Sequence, residues 1–372
     1  MALAASTVAI QRHSAPDTAL RRLIYAADAA YDPVASVHAA RRARFDYLAC
    51  KTAGARQAPA ALGPAARAAF GDLDDIHWPS MTHLGAIVWA VTDQVGATGE
   101  RRWKAAHMGY EVGGRLGLAL GDEHRRYWHA TATAGTVAAA VAAATASDAD
   151  PVAAASHALS VAGGSILCIL EYTDARVLHR DHAAASGVRC AELAGLSGAE
   201  DSLEHPRGFF AAMGGRADDL DAPRPHTILE EVSFRKHATS GFNQAAVEAA
   251  QELGTLDDLD QIEEIELCVP DSTATISGNP HPRTPQEAWW SCQHAVAVTL
   301  LGCDLATVHV DDPAVMRLRA RIVLRGGSAV TQLRLGGRVV ERDHAAKLSD
   351  ADLIDKWRRL LPDVEPPMEM LA

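Results

Sequence analysis

Alanine is concentrated in the first part of this 372-residue chain. Of the 74 alanines, 57 lie before residue 226, 13 lie in 226–337 and four follow. Alanine has the highest helix propensity of the amino acids, and small side chains on helix faces let helices approach closely. Aromatic residues make up only 5% of the chain, so alanine carries much of the apolar content. We therefore predict a compact bundle of helices that gives way to another architecture near residue 226.

Three segments of the alanine-rich part show helical patterns. Apolar residues recur at helical spacing from Met108 to Leu120, with Gly121 at the position of a C-cap. Further helices are predicted over 136–147 and from about 153 towards 170.

The middle of the chain alternates between polar and apolar residues instead. Alternation over 264–269, 319–324 and 330–335 predicts strands, and the Gly-Gly pairs at 326–327 and 336–337 are typical of hairpin turns. Helical stretches over 244–253 and 287–301 interrupt these strands.

A last amphipathic helix begins with the capping pattern of 348–352 and runs through Leu361. We expect it to return to the bundle. The predicted fold is therefore mostly α, an all-helical bundle domain built from both chain ends with an inserted smaller α+β lid domain. The predicted boundaries are 1–225 plus 343–372 for the helical domain and 226–342 for the lid.

Charge and apolar patterning exclude several classes of protein. The formal net charge is −12 and no run of Lys and Arg occurs, which argues against nucleic acid as a partner. The longest weakly polar stretch, 130–146, is too short and too weakly apolar to span a membrane. The N-terminal segment lacks the basic and apolar regions of a signal peptide. We expect a cytoplasmic protein.

Cysteine usage gives no sign of a metal or disulfide framework. The six cysteines are scattered and form no C-x-x-C pair, so buried reduced thiols are expected. Helical H-x-x-x-H and H-E-x-x-H pairs are also absent, and we predict no metal.

The densest polar cluster lies at 72–83, ahead of an apolar helix. Three carboxylates, two imidazoles and two hydroxyls fall within twelve residues, enough to hold a proton, a metal or a polar substrate. The plainer interpretation is that Ser80 or Thr82 caps the helix and the acids are solvated.

Three more clusters place cations or hydroxyls near helix ends. Residues 127–136 lie between two helices, where a helix N-terminus would stabilise a substrate carboxylate. Alternatively, Thr131 or Thr133 is a simple N-cap with His129 packed beside it. Clusters at 176–182 and 235–237 supply Arg, Lys and His, which alone are more typical of a solvated face.

Together these clusters resemble the MmgE/PrpD family from about residue 43 to the end of the chain. Residues 109–112 followed by 128–131 match its "GYEV…FHPT" pattern, 72–83 match "D-x-D-D-T-H…T-H", and 176–179 match "K-x-L-H". The resemblance implies a helical domain from both chain ends with a smaller α/β lid. It also implies a homodimer that needs no metal or organic cofactor.

The chain departs from the family pattern at four positions. Arg176 and Arg235 stand where the family has lysines, although a one-residue slip would place Lys236 at the second. Ile76 replaces the motif threonine and His294 replaces a tyrosine. Arginine binds carboxylates bidentately but stays protonated, so it cannot act as an acid or base.

The resemblance and the clusters predict a cofactor-independent, dehydratase-type lyase that acts on a small carboxylate-bearing substrate. His83 or His129 would move a proton, since an imidazole titrates near neutral pH, with Asp72 orienting it. Predicted substrate-binding residues are Arg176, Arg235, Thr131, His294 and Lys236. The alternatives are an isomerase or epimerase, a decarboxylase or a cyclase in specialised-metabolite biosynthesis, or a non-catalytic relative that binds acids.

Overall fold

The computed structural model of the chain describes residues 17–371 except 200, 219, 257, 260, 308 and 344–346. Residues 1–16 of the N-terminal segment, for which we predict no signal peptide, therefore lie outside the described residues. The described chain is mostly helical with one small mixed sheet, which confirms the predicted predominance of helix.

The elements are as follows. The α-helices are α1 (Ala19–Ala29), α2 (Ala35–Gln57), α3 (Pro64–Ala69), α4 (Gly85–Gln94), α5 (Gly99–Arg125), α6 (Ala130–Ala146), α7 (Pro151–Val161), α8 (Leu167–Leu170), α9 (Ala175–Glu192), α10 (Phe209–Met213), α11 (Ile228–Glu231), α12 (Gln244–Leu253), α13 (Asp271–Ser277), α14 (Pro285–Trp290), α15 (Cys292–Leu300), α16 (Pro313–Arg319) and α17 (Asp350–Leu360). The strands are β1 (Ile265–Cys268), β2 (Ile322–Arg325), β3 (Thr331–Leu335) and β4 (Arg338–Arg342), and two short 3-10 helices span Gly241–Asn243 and Met368–Met370.

The alanine-rich helix α6 lies at the centre of the first core, between α5 and α9. It carries no charged residue, and all but one of its side chains are buried. A helix that is apolar on every side is stable only when it is surrounded by other elements. Its contact with α9 is close because Gly187 faces it: a Cβ at that position would lie 2.2 Å from the Cβ of Ala139.

Several predicted helices are shorter or more broken than expected. The segment from 153 towards 170 forms two helices, α7 and α8, because the chain is extended at Ala162 and Gly164 has a φ of +143°. Gly121, the predicted C-cap, has a φ of +60° and interrupts α5, which continues to Arg125. The segment 287–301 is divided into α14 and α15 at Ser291, whose backbone is extended. The helix predicted at 244–253 is confirmed as α12.

The four strands form one sheet in the order β2-β1-β3-β4. β1 pairs with β2 in parallel and with β3 antiparallel, and β3 pairs antiparallel with β4. The hairpin predicted at 336–337 is confirmed, and both glycines have positive φ. The hairpin predicted at 326–327 is wrong, because β1 lies between β2 and β3 and this glycine pair joins strands that are not neighbours.

Buried apolar residues form separate clusters in the described chain. One cluster runs through helices α1 to α7 and α9 to α11, and a second joins the sheet to α12, α15 and α16. A third joins α2 to the final helix α17 through Phe45, Trp357 and Leu361. These contacts are compatible with the predicted division into a helical domain and a lid, which stays a prediction. Among the described residues, no helix has both the length and the apolarity required to cross a bilayer.

Candidate functional site

The site is built around the segment between α3 and α4, which carries the predicted acidic cluster. Gly71 and Asp72 have φ values of +84° and +56°. Two successive residues in the left-handed region turn the chain sharply, and Gly and Asp are among the residues that tolerate this conformation. The turn directs Asp72 into the protein, where it is 1% exposed.

Asp72 accepts hydrogen bonds from two arginines and a tryptophan. Its Oδ1 lies 2.7 Å from Nη1 of Arg176 and 3.2 Å from Nη1 of Arg235. Its Oδ2 accepts from Nε1 of Trp290 at 2.9 Å. Arg176 comes from α9 and Trp290 from α14, so this carboxylate connects the helical part to the α+β part of the chain.

Asp74 extends the network to a third guanidinium. Its Oδ2 accepts from Nε of Arg180 at 3.1 Å, and its Oδ1 accepts from Nη2 of Arg235. Nε of Arg235 also donates to the Asp74 carbonyl at 2.7 Å. We call these two aspartates and three arginines the ion network. All five side chains are at most 3% exposed.

The ion network carries one positive charge in excess, since three guanidiniums face two carboxylates. Nε of Arg176 is buried without a hydrogen-bond partner among the described residues. Burial by itself would raise the pKa of Asp72, but Arg176 and Arg235 outweigh it and hold that pKa well below its usual range. Burial would likewise raise the pKa of Asp74, but Arg180 and Arg235 outweigh it and lower that pKa, so both carboxylates are ionised at neutral pH.

His83 lies beside the ion network with a defined tautomer. Its Nδ1 is 2.6 Å from the carbonyl oxygen of Asp75, which can only accept a hydrogen bond. Nδ1 therefore carries the proton and Nε2 is unprotonated, with its lone pair free to accept a proton. Its backbone N–H donates to Oγ1 of Thr131 at 3.2 Å. Burial, with a contribution from nearby guanidiniums, lowers the pKa of His83 to about 3. This imidazole is neutral at pH 7, and its side chain is 16% exposed.

His129 precedes α6 and faces a second histidine. Its Nδ1 lies 3.0 Å from Nδ1 of His179, and Sγ of Cys168 is 3.7 Å from that same nitrogen. Burial holds the pKa of His129 well below its ordinary value, so it too is neutral. In the described residues this is the only group of three metal-type donor atoms, all within 4.8 Å of one another. The absence of a metal stays a prediction.

The structure brings six of the eight predicted site residues together and leaves two apart. Lys236 points to the surface, where its Nζ is 3.7 Å from Oδ1 of Asp352, so of the two neighbouring cations Arg235 is the inward one. His294 lies on α15 with its Nδ1 3.2 Å from Nη1 of Arg319. The residues that converge are Asp72, His83, His129, Thr131, Arg176 and Arg235.

Sequence reasoning did not select Asp74, Arg180 or Trp290 as parts of the network. Arg180 follows Arg176 by four residues on α9 and therefore lies on the same face, a spacing that could have identified it. Trp290 carries no such local signal, because it reaches Asp72 from 218 residues away.

A cavity of about 680 Å³ lies next to the ion network rather than over it. Gly71, Leu73, His237 and Trp289 line it, but no side chain of the network does. The ring of Trp290 covers Arg176, with 5.5 Å between the guanidinium carbon and the ring centroid. The network is closed in this conformation.

Neutral buried histidines should make the protein sensitive to acid. Burial lowers the pKa of His83 and His237 to about 3 and that of His294 to about 4. Between those values and about pH 6.5, each imidazole is neutral in the folded protein but protonated in the unfolded chain. The stability they provide is fully present above about pH 6.5 and is lost as the pH falls. Asp75 and Asp46 act in the opposite direction, because burial raises the pKa of Asp75 to about 7 and that of Asp46 above its ordinary value, but they are outnumbered by the three histidines.

We therefore expect the free energy of unfolding, measured in urea, to fall between about pH 6 and about pH 4. Each uncompensated histidine contributes up to about 1.4 kcal/mol per pH unit. His237→Asn should lower the slope of the unfolding free energy against pH by the contribution of about one proton. The same change at the exposed His38 should leave that slope unchanged. A slope that His237→Asn leaves unchanged would contradict the assignment.

Comparison with known proteins agrees with the motifs. The model of the MmgE/PrpD N-terminal domain matches residues 58–219, and that of the MmgE/PrpD C-terminal domain matches residues 237–370. No curated protein matches the chain. With both domains of one family found in order along most of its length, the chain belongs to the MmgE/PrpD family.

Proposed function

We propose that this protein is a dehydratase-type lyase acting on a small carboxylate-bearing substrate, with His83 as the proton acceptor and Arg176 as a carboxylate ligand. The observation that carries the proposal is the buried excess of positive charge in the ion network beside His83, a neutral imidazole whose Nε2 is unprotonated. Membership of a family of dehydratase-like and isomerase-like enzymes supports it.

The ion network supplies the carboxylate-binding element. A substrate carboxylate would balance the third guanidinium and give Nε of Arg176 the partner it lacks. Guanidinium–carboxylate pairs are charge-assisted and frequently bidentate, which fixes the orientation of the bound acid. Because Trp290 covers Arg176, substrate entry requires the α14 end of the α+β part to move away from α9.

His83 is suited to abstract a proton from the carbon next to the bound carboxylate. Nε2 accepts that proton, the C–H electron pair forms a double bond, and the C–O bond to a β-hydroxyl breaks. The imidazolium then returns its proton to the departing hydroxide, which leaves as water. A bound anion offsets the guanidiniums that depress the pKa of His83, and so makes the imidazole a stronger base in the complex than in the free enzyme.

An epimerase or isomerase is the second candidate, and His129 favours it. His129 is a second neutral imidazole, close enough to His83 that the charge of one affects the pKa of the other. Thr131, two residues after His129, also binds the backbone of His83. Two such groups could remove a proton from one face of a carbon and return one to the other. Decarboxylation would begin with the same carboxylate contacts.

A panel of mono-, di- and tricarboxylates tests the proposed function. We expect at least one acid to raise the thermal unfolding midpoint and its matched amide to leave it unchanged, since ligands that bind only the folded state stabilise it. The same panel in D₂O, followed by NMR, should show deuterium at the carbon next to the carboxylate, with loss of water for a dehydratase. If no acid shifts the midpoint or exchanges, the proposal is wrong.

A further inference from the structure

We propose that His129, Cys168 and His179 form a binding site for a divalent cation of the zinc type. The proposal does not depend on the proposed lyase activity, because it rests on the arrangement of donor atoms alone. Zinc prefers imidazole nitrogen and thiolate sulfur, and two histidines with one cysteine make a recognised ligand set for borderline-soft metals.

The separations fit a single tetrahedral ion. With Zn–N bonds of about 2.0–2.1 Å and Zn–S bonds of about 2.3 Å, ligand nitrogens lie about 3.3 Å apart and nitrogen and sulfur about 3.6 Å apart. Here the two Nδ1 atoms are 3.0 Å apart, and Sγ of Cys168 is 3.7 Å from Nδ1 of His179. All three donor atoms lie within 4.8 Å of one another, so small side-chain rotations would bring them around one ion.

Three separate segments hold the donor atoms in place. His129 precedes α6, Cys168 lies on α8 and His179 on α9. Gly164 connects them: its carbonyl accepts from the backbone N–H of His129 at 2.9 Å, and a Cβ on it would lie 3.2 Å from Nδ1 of His179. With its φ of +143°, this glycine lets the chain pass directly over the donor atoms.

A cation here would lie near the ion network, whose excess positive charge opposes it, so the ligands themselves must supply the compensating negative charge. Arg176 and Arg180, on the same helix as His179, are each bound by a carboxylate of the ion network. A Cys168 thiolate would add a further negative charge at the metal itself. Three protein ligands leave the fourth tetrahedral position open, as in zinc sites that bind water or a substrate oxygen.

Cobalt(II) is the probe, since its absorption spectrum reports both thiolate ligation and tetrahedral geometry. The full chain without an affinity tag is stripped with a chelator and titrated with Co²⁺, followed by competition with Zn²⁺ and elemental analysis. We expect one ion per chain, a thiolate-to-cobalt charge-transfer band in the near ultraviolet, and displacement by Zn²⁺.

Cys168→Ala should abolish that band and weaken binding by roughly 100-fold or more, since even outer-sphere changes cost about 10–100-fold. Cys190→Ala is the matched control, because both cysteine residues are 5% exposed and Cys190 lies outside the donor group. His179→Gln gives a second removal should Cys168→Ala fold poorly. The proposal is overturned if the parent chain binds no cobalt, or if binding survives both removals. Neither result would bear on carboxylate binding or proton exchange, which are measured separately.

Discussion

Replacing His83 with alanine is expected to lower turnover by about 10²–10⁴-fold, the usual contribution of a positioned general base. The bare Nε2 of this imidazole is the proton-accepting atom that we place at the edge of the ion network, and alanine cannot replace it. Among the described residues, the His83 side chain makes one hydrogen bond, that to the Asp75 carbonyl, so the fold of the variant should persist at a cost of about 1 kcal/mol. Substrate exchange in D₂O and the urea midpoint measure the two effects separately.

The control is His38→Ala, the same change at an exposed position on α2. It should leave both the exchange rate and the urea midpoint unchanged. If His83→Ala keeps the parent rate, the proton acceptor is another group, and His129→Ala becomes the deciding variant. Full activity in both variants would end the proposed chemistry.

The sequence could identify Arg176 and the pair Arg235 and Lys236 as candidate site residues, but it could not decide which member of that pair faces inward. Ser233 pairs with Ile76 in an isolated antiparallel bridge, and successive side chains of extended backbone point to opposite sides. Only one of Arg235 and Lys236 can therefore face inward. Which one does so depends on the register of that bridge, which no local pattern specifies.

The His129–Cys168–His179 group shows a different limit. Motif searches for metal sites rely on donors at short, regular spacing, such as successive turns of one helix. Here His179 is 50 residues from His129 and meets it only because α6 and α9 pack together around the close contact at Gly187. Sites assembled from separate helices become visible only once the packing is known.

The sheet illustrates the same distinction between local and long-range order. Alternation identified the neighbourhood of β1, β2 and β3, since period-two burial is a local property. Strand order is not local: β1 lies between β2 and β3 although it precedes both along the chain. A Gly-Gly pair therefore marks a change of direction without showing that the two flanking strands are partners.

Asp72→Asn should destabilise the protein by about 3–5 kcal/mol, the usual effect of removing one partner from a buried ion pair. Asp72 is the only carboxylate among the described residues that bonds Arg176, so the variant leaves that buried guanidinium uncompensated. Arg235 keeps Asp74 and should be less affected. The asparagine amide would also direct donor N–H groups towards other donors, or lose the bond from Trp290.

Asp363→Asn tests whether burial causes this loss. Asp363 binds Arg56 with two hydrogen bonds of 2.8 and 2.9 Å, but the two side chains are 66% and 42% exposed. Exposed pairs of this kind contribute at most about 1 kcal/mol, so the urea midpoint should scarcely move.

Because the pKa of Asp72 is held low in the folded protein, the stability that Asp72 contributes is present above about pH 4 and is lost as the pH falls further. The difference in unfolding free energy between the parent and Asp72→Asn should therefore become smaller in acid. Equal urea midpoints for Asp72→Asn and Asp363→Asn at neutral pH would show that the ion network does not hold the site together.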